Sequence, residues 1–331
     1  MKKVILSFDY ELFFGDKSGT VKNSIINPTN LLLDEMEKID LRGNFFVDYL
    51  MLREYEKLTD PIGKSDLLLL KNQIKDIVRR GHRIEFHIHS HWIDAKYNGD
   101  GTWDFSNFAH YSLSSLDENL IEDIFCEGIK YLKDLVKDIE KNYQICAFRA
   151  GGWAIQPFSK IKNAFLASGI KIDSSSSYGI YQFLQYSFYD FRNIPNKCIY
   201  KFEDDICKEN NQGSFIEVPI SSFHRNKILS LVDKFYFKYL NGMDYIFSDG
   251  THYRKSEPKP KRKSFLFRLF SNSKFMYAFS VYSKFTIKRM IKNEKNLYCF
   301  IDHPKDVSIA TVIGIRCLKN KFVSIFYKDL I

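Results

Sequence analysis

The chain alternates short apolar runs that favour β-strands with longer amphipathic stretches that favour helices, and it does so nearly from end to end. Apolar runs rich in β-forming residues predict strands at 3–8, 44–49, 83–87, 144–148, 170–173, 215–218 and 298–301. Apolar residues at helical spacing predict helices at 28–40, 67–80, 120–139 and 161–167. Such alternation indicates a parallel sheet covered by helices. The expected fold is therefore α/β and barrel-like, a single domain over residues 1–331.

Polar residues follow several of these strands directly, at Asp9, His87, Arg149, Asp173 and His303. The carboxyl ends of parallel strands meet at one end of a barrel, which is where such folds bind their ligands. We therefore expect these five side chains to belong to one active site.

The run His87-Ile-His-Ser-His91 places three of the chain's eight histidines within five residues. Histidines at i and i+4, where a strand turns into a helix, can direct two imidazoles at one ion. His89 faces the same side as His87 and His91 if the strand continues, and points away if the chain turns; we assign it a supporting role. A surface histidine cluster is the alternative interpretation.

Asp9 and Glu11 stand two residues apart immediately after the first strand. In extended backbone they share a face, so one can bind a metal while the other acts as a base. Acids also cap loops, and the pair alone would favour that simpler interpretation. Combined with His87 and His91, it predicts a His-His-carboxylate metal site with positions left for water and substrate.

These segments resemble the ordered motifs of the NodB-type polysaccharide deacetylases, carbohydrate esterase family 4. The resemblance rests on the run SFDYE at 7–11, His87-x-x-x-His91, the run FRAGGW at 148–153 and His303. Similar later strand ends follow at 173–179 and 217–219. The match extends from Ser7 to about residue 306 and omits the basic segment described below.

The resemblance implies a distorted (β/α) barrel that uses a divalent metal, expected to be zinc, to remove the N-acetyl group of an amino sugar. Asp9 would be the general base, Arg149 would orient it, and His303 would be the general acid. The remaining assignments are the metal ligands Glu11, His87 and His91 and the substrate-binding residues Gly152, whose N–H would meet the oxyanion, and Trp153. Asp173 either orients a catalytic partner or caps the serine-rich loop after it.

Two departures from the family pattern affect this site. Tyr10 occupies the place of the usual metal-binding aspartate, and Glu11 fits a variant in which the carboxylate stands two residues after the base. The run at 148–153 lacks the family's prolines and tyrosine, which alters the expected substrate contacts.

Structural roles and other functions remain open for the same residues. His303 could cap a strand end, and Arg149 could form a structural ion pair. Two alternative functions are a different metal amidohydrolase that uses His87 and His89, and a degenerate barrel that binds glycan or membrane without catalysis.

The net charge of +9 comes from one segment. Residues 253–292 carry twelve Lys and Arg against the single acid Glu257, so this segment has a charge of +11 and the rest of the chain −2. Its basic residues interleave with aromatic ones within a helical insert predicted at 226–293. We weigh three interpretations: a lid packed on the barrel, peripheral contact with an anionic membrane or lipid-linked glycan, and, least favoured, nucleic acid.

Composition and cysteine spacing favour a cytoplasmic protein. A hydrophobic fraction of 45% and a charged fraction of 27% exclude disordered and membrane-embedded classes. The six cysteines form no C-x-x-C pair and indicate a reduced set. The apolar run at 4–8 is shorter than the roughly 7–15 residues of a signal-peptide core. The expected substrate is therefore a nucleotide-linked or lipid-linked sugar.

Overall fold

The structure is a computed structural model that describes residues 1–184, 186–225, 227–239, 245–252 and 273–331. Its strands are β1 Lys2–Tyr10, β2 Asn44–Asp48, β3 Arg83–Ile88, β4 Lys96–Tyr97, β5 Trp103–Asp104, β6 Ala147–Ala150, β7 Ile172–Asp173, β8 Tyr181–Phe183, β9 Phe188–Asp190, β10 Tyr200–Phe202, β11 Phe215–Glu217, β12 Ser222–Arg225, β13 Ser273–Met276, β14 Leu297–Asp302 and β15 Phe322–Ser324. Its α-helices are α1 Asn27–Glu37, α2 Tyr49–Glu56, α3 Pro61–Arg79, α4 Glu118–Val136, α5 Lys162–Ser168, α6 Lys227–Tyr239, α7 Lys284–Met290 and α8 Ile309–Arg316.

The main sheet has the order β10-β11-β7-β6-β3-β2-β1-β14, with β15 also paired to β1. All seven strands predicted from the sequence lie in it and run parallel, whereas β10 is antiparallel to β11. The chain after β11 closes the ring, because Ser221 N–H donates to the Cys299 carbonyl of β14 at 3.0 Å. The predicted α/β fold, a distorted barrel, is confirmed.

The helices form where apolar spacing predicts them, but their ends depend on local capping. Helix α3 begins at Pro61, several residues before the predicted start, because the Asp60 side chain accepts a hydrogen bond from Gly63 N–H. Helix α2 was not predicted, because it follows β2 without an intervening turn residue. Among the described residues, none of the helices combines the length and hydrophobicity needed to cross a bilayer.

The predicted insert at 226–293 is only partly described, since residues 253–272, its most basic part, lie outside the described residues. In the described part, Tyr277, Phe279 and Tyr282 are buried, and Phe279 stacks on Phe300 of the barrel at 4.5 Å. Tyr277 also donates its N–H to the Ser221 carbonyl at 2.7 Å and accepts from Ile301 N–H at 3.0 Å. This portion of the segment therefore packs on the barrel and completes its wall.

Candidate active site

The carboxyl ends of β1, β3 and β6 and the turn after β14 surround a cavity of about 540 Å³. Asp9, Glu11, His89, Gly152 and His303 all line it. The alternation of β1 explains part of this arrangement, because Asp9 and Glu11 face the cavity whereas Tyr10 points into the helix layer and donates to Gln73 Oε1 at 3.0 Å. The barrel thus brings residues from distant parts of the chain to one site.

Arg149 holds Asp9 from below the cavity. Its Nη1 donates to Asp9 Oδ1 at 2.6 Å, and its Nε donates to the Ser174 carbonyl at 2.8 Å. The guanidinium is fully buried and lies 4.2 Å from the centre of the Phe46 ring. One oxygen of Asp9 is therefore fixed, and the other, Oδ2, faces His303 Nε2 at 3.6 Å.

Glu11, His87 and His89 form a buried group that could hold a metal ion, with all their ligand atoms within 4.8 Å of one another. Glu11 Oε2 lies 3.0 Å from His87 Nε2 and 2.7 Å from His89 Nε2. His87 Nδ1 donates to the Arg149 carbonyl at 2.7 Å, so its Nε2 is the atom available as a ligand. His89 Nδ1 is buried without a hydrogen-bond partner. This donor set fits a divalent ion such as zinc.

His91 does not join this group among the described residues, although the sequence predicts it as the second histidine ligand. The backbone stays extended through His89 (φ −103°, ψ 100°) and then enters a 3₁₀ turn at Ser90–Asp94. His87 and His89 therefore share a face, and the turn redirects His91, whose ring lies edge-on to the His89 ring with the centroids 5.1 Å apart. The His91 ring stacks on Tyr111 at 5.3 Å, and burial holds its pKa well below the usual value.

Lys305 adds an ammonium group to the site that the sequence analysis did not identify. Its Nζ lies 2.6 Å from Glu11 Oε1 and donates to the Leu12 carbonyl at 2.9 Å, and both charged side chains are 3% exposed. Burial raises the pKa of Glu11, but His89, Lys305 and a hydrogen bond from His87 outweigh it, so the net shift is downward. Glu11 is therefore ionised at neutral pH.

His303 faces Asp9 with one ring nitrogen and an acid with the other. Its Nε2 lies 3.6 Å from Asp9 Oδ2, and its Nδ1 lies 3.3 Å from Asp306 Oδ2. Burial lowers the pKa of His303, but Asp306 and Asp9 outweigh this effect and raise it overall. His252, whose Nε2 lies 2.6 Å from Asp306 Oδ1, also lines the cavity. Asp302, His303 and Asp306 form a second group with the spacing of metal ligands.

The loop after β6 forms a wall of the cavity with Gly152 and Trp153. Both residues have left-handed backbone, with φ values of 56° and 59°. A Cβ on Gly152 would lie 2.7 Å from the Tyr111 hydroxyl oxygen, so only glycine allows this phenol to approach the loop. Tyr111 itself lines the cavity and was not predicted from the sequence.

Asp173 does not line the cavity, and its carboxylate accepts hydrogen bonds from the serine-rich loop. Its Oδ1 and Oδ2 accept hydrogen bonds from the Ser175 hydroxyl at 2.7 Å and the Ser175 N–H at 3.0 Å. Burial raises the pKa of Asp173, although hydrogen bonds with Glu217 and Ser175 oppose this shift. Of its two predicted roles, the structure shows the loop cap, and the partner of His303 is Asp306 instead.

Sequence reasoning missed Lys305, Asp306 and Tyr111; Lys305 and Tyr111 line the cavity, and Asp306 contacts His303 beside it. For the first two a signal was present, because both lie within three residues of His303 in the run DHPKD at 302–306. A basic and an acidic residue beside a candidate histidine are reasonable candidates for the same site. Tyr111 carried no comparable signal, since it lies in a long loop after β5.

Comparison with known proteins gives distant structural similarity only. None of the known family models matches the chain, nor does any curated protein. A Mycobacterium smegmatis protein assigned as a polysaccharide deacetylase is 13% identical over 99% of this chain and 88% of its own, with a TM-score of 0.46. The 4-alpha-glucanotransferase of Thermococcus litoralis is 11% identical over 99% and 38%, with a TM-score of 0.47. The catalytic domain of a peptidoglycan N-acetylglucosamine deacetylase from Eubacterium rectale is 11% identical over 98% and 89%, with a TM-score of 0.33.

Proposed function

We propose that the protein is a metal-dependent carbohydrate N-deacetylase, which removes an N-acetyl group from an amino sugar of a surface polysaccharide or of its nucleotide- or lipid-linked precursor. The observation that carries this proposal is the position of Asp9 and His303 beside the Glu11–His87–His89 group in one cavity. A base, an acid and a set of metal donors are what hydrolysis of an unreactive amide requires. These residues also belong to the segments that resemble the NodB-type deacetylases.

Glu11, His87 and His89 would hold the metal, for which we propose zinc. A divalent ion bound there would polarise the amide carbonyl and lower the pKa of water to about 7. The hydrogen bond to the Arg149 carbonyl keeps the proton of His87 on Nδ1 and leaves Nε2 free to bind the metal. The ionised carboxylate of Glu11 would balance part of the charge of the ion.

Asp9 and His303 would move the protons. Asp9 Oδ2 is the oxygen that Arg149 leaves free, so it would accept the proton of the attacking water. His303 Nε2 would then give a proton to the departing amine, while Asp306 holds the other ring nitrogen. The Gly152 N–H and the Tyr111 hydroxyl border the cavity where the carbonyl oxygen would develop charge, and we propose that they stabilise it. Trp153 would contact the sugar.

Acetate release from a panel of N-acetylated amino sugars and glycans, with zinc added, tests this function. We expect Asp9→Asn to reduce the rate by about 10²–10⁴-fold, because it removes the base while the amide oxygen can still accept the hydrogen bond from Arg149 Nη1. His87→Ala should reduce both the rate and the bound zinc. Lys319→Met, an exposed change at the amino-terminal end of the barrel, is the matched control. Zinc-loaded protein that released no acetate from any member of the panel would contradict the proposal.

A different metal amidohydrolase is the second candidate, because the structure groups His89 rather than His91 with Glu11 and His87. Anomalous scattering at the metal edge would identify the ligands in crystals of the loaded protein. A metal on His89 is expected of both candidates, so the substrate decides between them. Hydrolysis of amides that carry no sugar, without acetate release from N-acetylated sugars, would favour this candidate over the deacetylase.

The location of the protein is part of the proposal. We propose a cytoplasmic protein that contacts the inner face of the membrane through residues 253–292, where the sequence carries a charge of +11. Fractionation of cells that express the full chain would test both statements.

A further inference from the structure

A second concave surface, of about 450 Å³, lies between the hairpin β8–β9 and the hairpin β12–β13. Tyr178, Tyr181, Arg192, His224 and Lys274 line it, together with the backbone at 179–180. It shares no lining residue with the cavity that contains Asp9 and His303. We call it the cationic pocket.

Lys274 is held in a defined position in the cationic pocket. Its ammonium lies 3.2 Å from the centre of the Tyr178 ring. Its side-chain stem crosses Gly179, where a Cβ would lie 2.3 Å from Lys274 Cδ. Gly179 also has a φ of +82°, a conformation that favours glycine. Because the stem lies against a glycine and an aromatic ring, the charge has less freedom than on an ordinary surface lysine.

Lys274 carries the charge of the pocket that lacks a carboxylate partner among the described residues, whereas Arg192 has one. His224 is the cross-strand neighbour of Lys274. Burial and the nearby charge of Lys295 lower the pKa of Lys274. No carboxylate of the described residues forms an ion pair with Lys274. The Arg192 guanidinium is paired with Asp190 at 2.5 Å and lies 4.7 Å from the Tyr181 ring centre. An anion in the pocket would offset the charge of Lys274 and its repulsion by Lys295.

We propose that the cationic pocket binds the phosphate group of a phosphate ester. An ammonium and a guanidinium are the groups that proteins use to bind phosphate, and the exposed Tyr181 ring offers a face on which an attached base or sugar can stack. A diphosphate that joins a sugar to its nucleotide or lipid carrier has this chemistry. Its assignment to the carrier of the substrate rests on the proposed deacetylase, whereas phosphate binding itself does not.

Isothermal titration of the full-length protein with pyrophosphate tests the pocket without any need for catalysis. We expect Lys274→Met to weaken pyrophosphate binding by about tenfold or more, since a charged hydrogen bond is lost. His224→Asn, an exposed change that should not disturb folding, should weaken it less. Lys319→Met removes the same charge at the other end of the barrel and should leave binding unchanged. Equal binding by the Lys274→Met and Lys319→Met proteins, or none by the unchanged protein, would overturn the proposal.

Two further titrations distinguish the sources of the phosphate. Uridine diphosphate represents a soluble nucleotide carrier, and phosphatidylcholine vesicles with and without phosphatidylglycerol represent a lipid headgroup. Binding of either probe that depends on Lys274 supports the pocket and identifies the carrier class. Failure of both, with pyrophosphate also unbound, contradicts the pocket but leaves acetate release from neutral glycans as a separate test of the proposed function.

Discussion

Glu11 is the residue on which the proposed metal site depends, and it already has a cationic partner. Its Oε1 meets the Lys305 ammonium at 2.6 Å, and its Oε2 meets the two imidazole nitrogens. A metal ion bound to Glu11 would therefore share the carboxylate with a buried lysine. Repulsion between two cations weakens metal binding, so Lys305 should lower the affinity of the site.

Lys305→Met should reduce the stability of the metal-free protein and increase its response to zinc. Removal of one partner of a buried ion pair costs about 3–5 kcal/mol, and Glu11 would keep only its two imidazole contacts. A metal then becomes the compensating charge, and ligand binding stabilises the folded state. We expect a lower melting temperature without zinc and a larger zinc-induced rise than in the unchanged protein, measured by calorimetry.

Lys137→Met is the matched control, because Lys137 pairs with Asp134 at 3.5 Å and both side chains are exposed. This variant should change neither the melting temperature nor its zinc-induced rise by much, since exposed ion pairs contribute about 0–1 kcal/mol. A zinc-induced rise in Lys305→Met smaller than in the unchanged protein would show that the lysine assists metal binding instead.

The helix α4 packs against the sheet through a glycine, which brings the helix close to two aromatic rings. A Cβ on Gly128 would lie 2.5 Å from Phe86 Cε2 and 2.6 Å from Tyr49 Cδ1. Both rings are largely buried and have little room to move. The close packing of α4 on β3, the strand that carries His87, therefore requires that residue 128 have no side chain.

Gly128→Ala should destabilise the protein even though alanine favours helix. The gain in helix propensity is about 1 kcal/mol, and overpacking of a filled core costs about 1–3 kcal/mol. We expect a net loss of about 1 kcal/mol in the free energy of unfolding by urea. Lys130→Ala, an exposed change on the same helix, should leave the stability unchanged or raise it slightly. A Gly128→Ala protein more stable than the unchanged one would show that the rings can move aside.

Elements also explain which site residues could be predicted from the sequence. Asp9, His87 and Arg149 lie at the carboxyl ends of buried strands and His303 directly follows one, so their convergence follows from the parallel sheet. The choice between His89 and His91 depends on whether the strand ends before or after residue 89, and a shift of one or two residues lies within the usual uncertainty of an element end. Lys305 and Tyr111 reach the cavity through loops whose paths no local pattern determines.

At the scale of the whole molecule, the two ends of the barrel differ in structure. The carboxyl end holds the candidate site, and the amino end is closed by packing and hydrogen bonds. His82 lies at this second end, where its Nδ1 accepts a hydrogen bond from Gly43 N–H at 3.0 Å and its Nε2 lies 3.3 Å from Glu37 Oε1. A neutral ring protonated on Nε2 satisfies both contacts.

His82 should make the folding stability depend on pH. Burial lowers its pKa from 6.5 to about 4; Glu37 opposes this shift, and Arg42 and Arg80 add to it. Between these values the unfolded chain binds a proton that the folded protein does not, so stability is present above pH 6.5 and is lost as the pH falls towards 4. The contribution between pH 7 and pH 5 is on the order of 2 kcal/mol.

Urea unfolding at pH 7, 6 and 5 measures this dependence, and His82→Asn isolates the part due to this ring. The asparagine carbonyl can accept from Gly43 N–H but does not titrate, so the variant should lose about 2 kcal/mol less than the unchanged protein between pH 7 and pH 5. The free energy of unfolding of the variant at a single pH does not isolate this effect, because the substitution also removes the packing of the His82 ring on Phe45. The two ring centroids lie 6.0 Å apart. Equal slopes in the two proteins would show that His82 is protonated in the folded state, and that other buried groups account for any loss in acid.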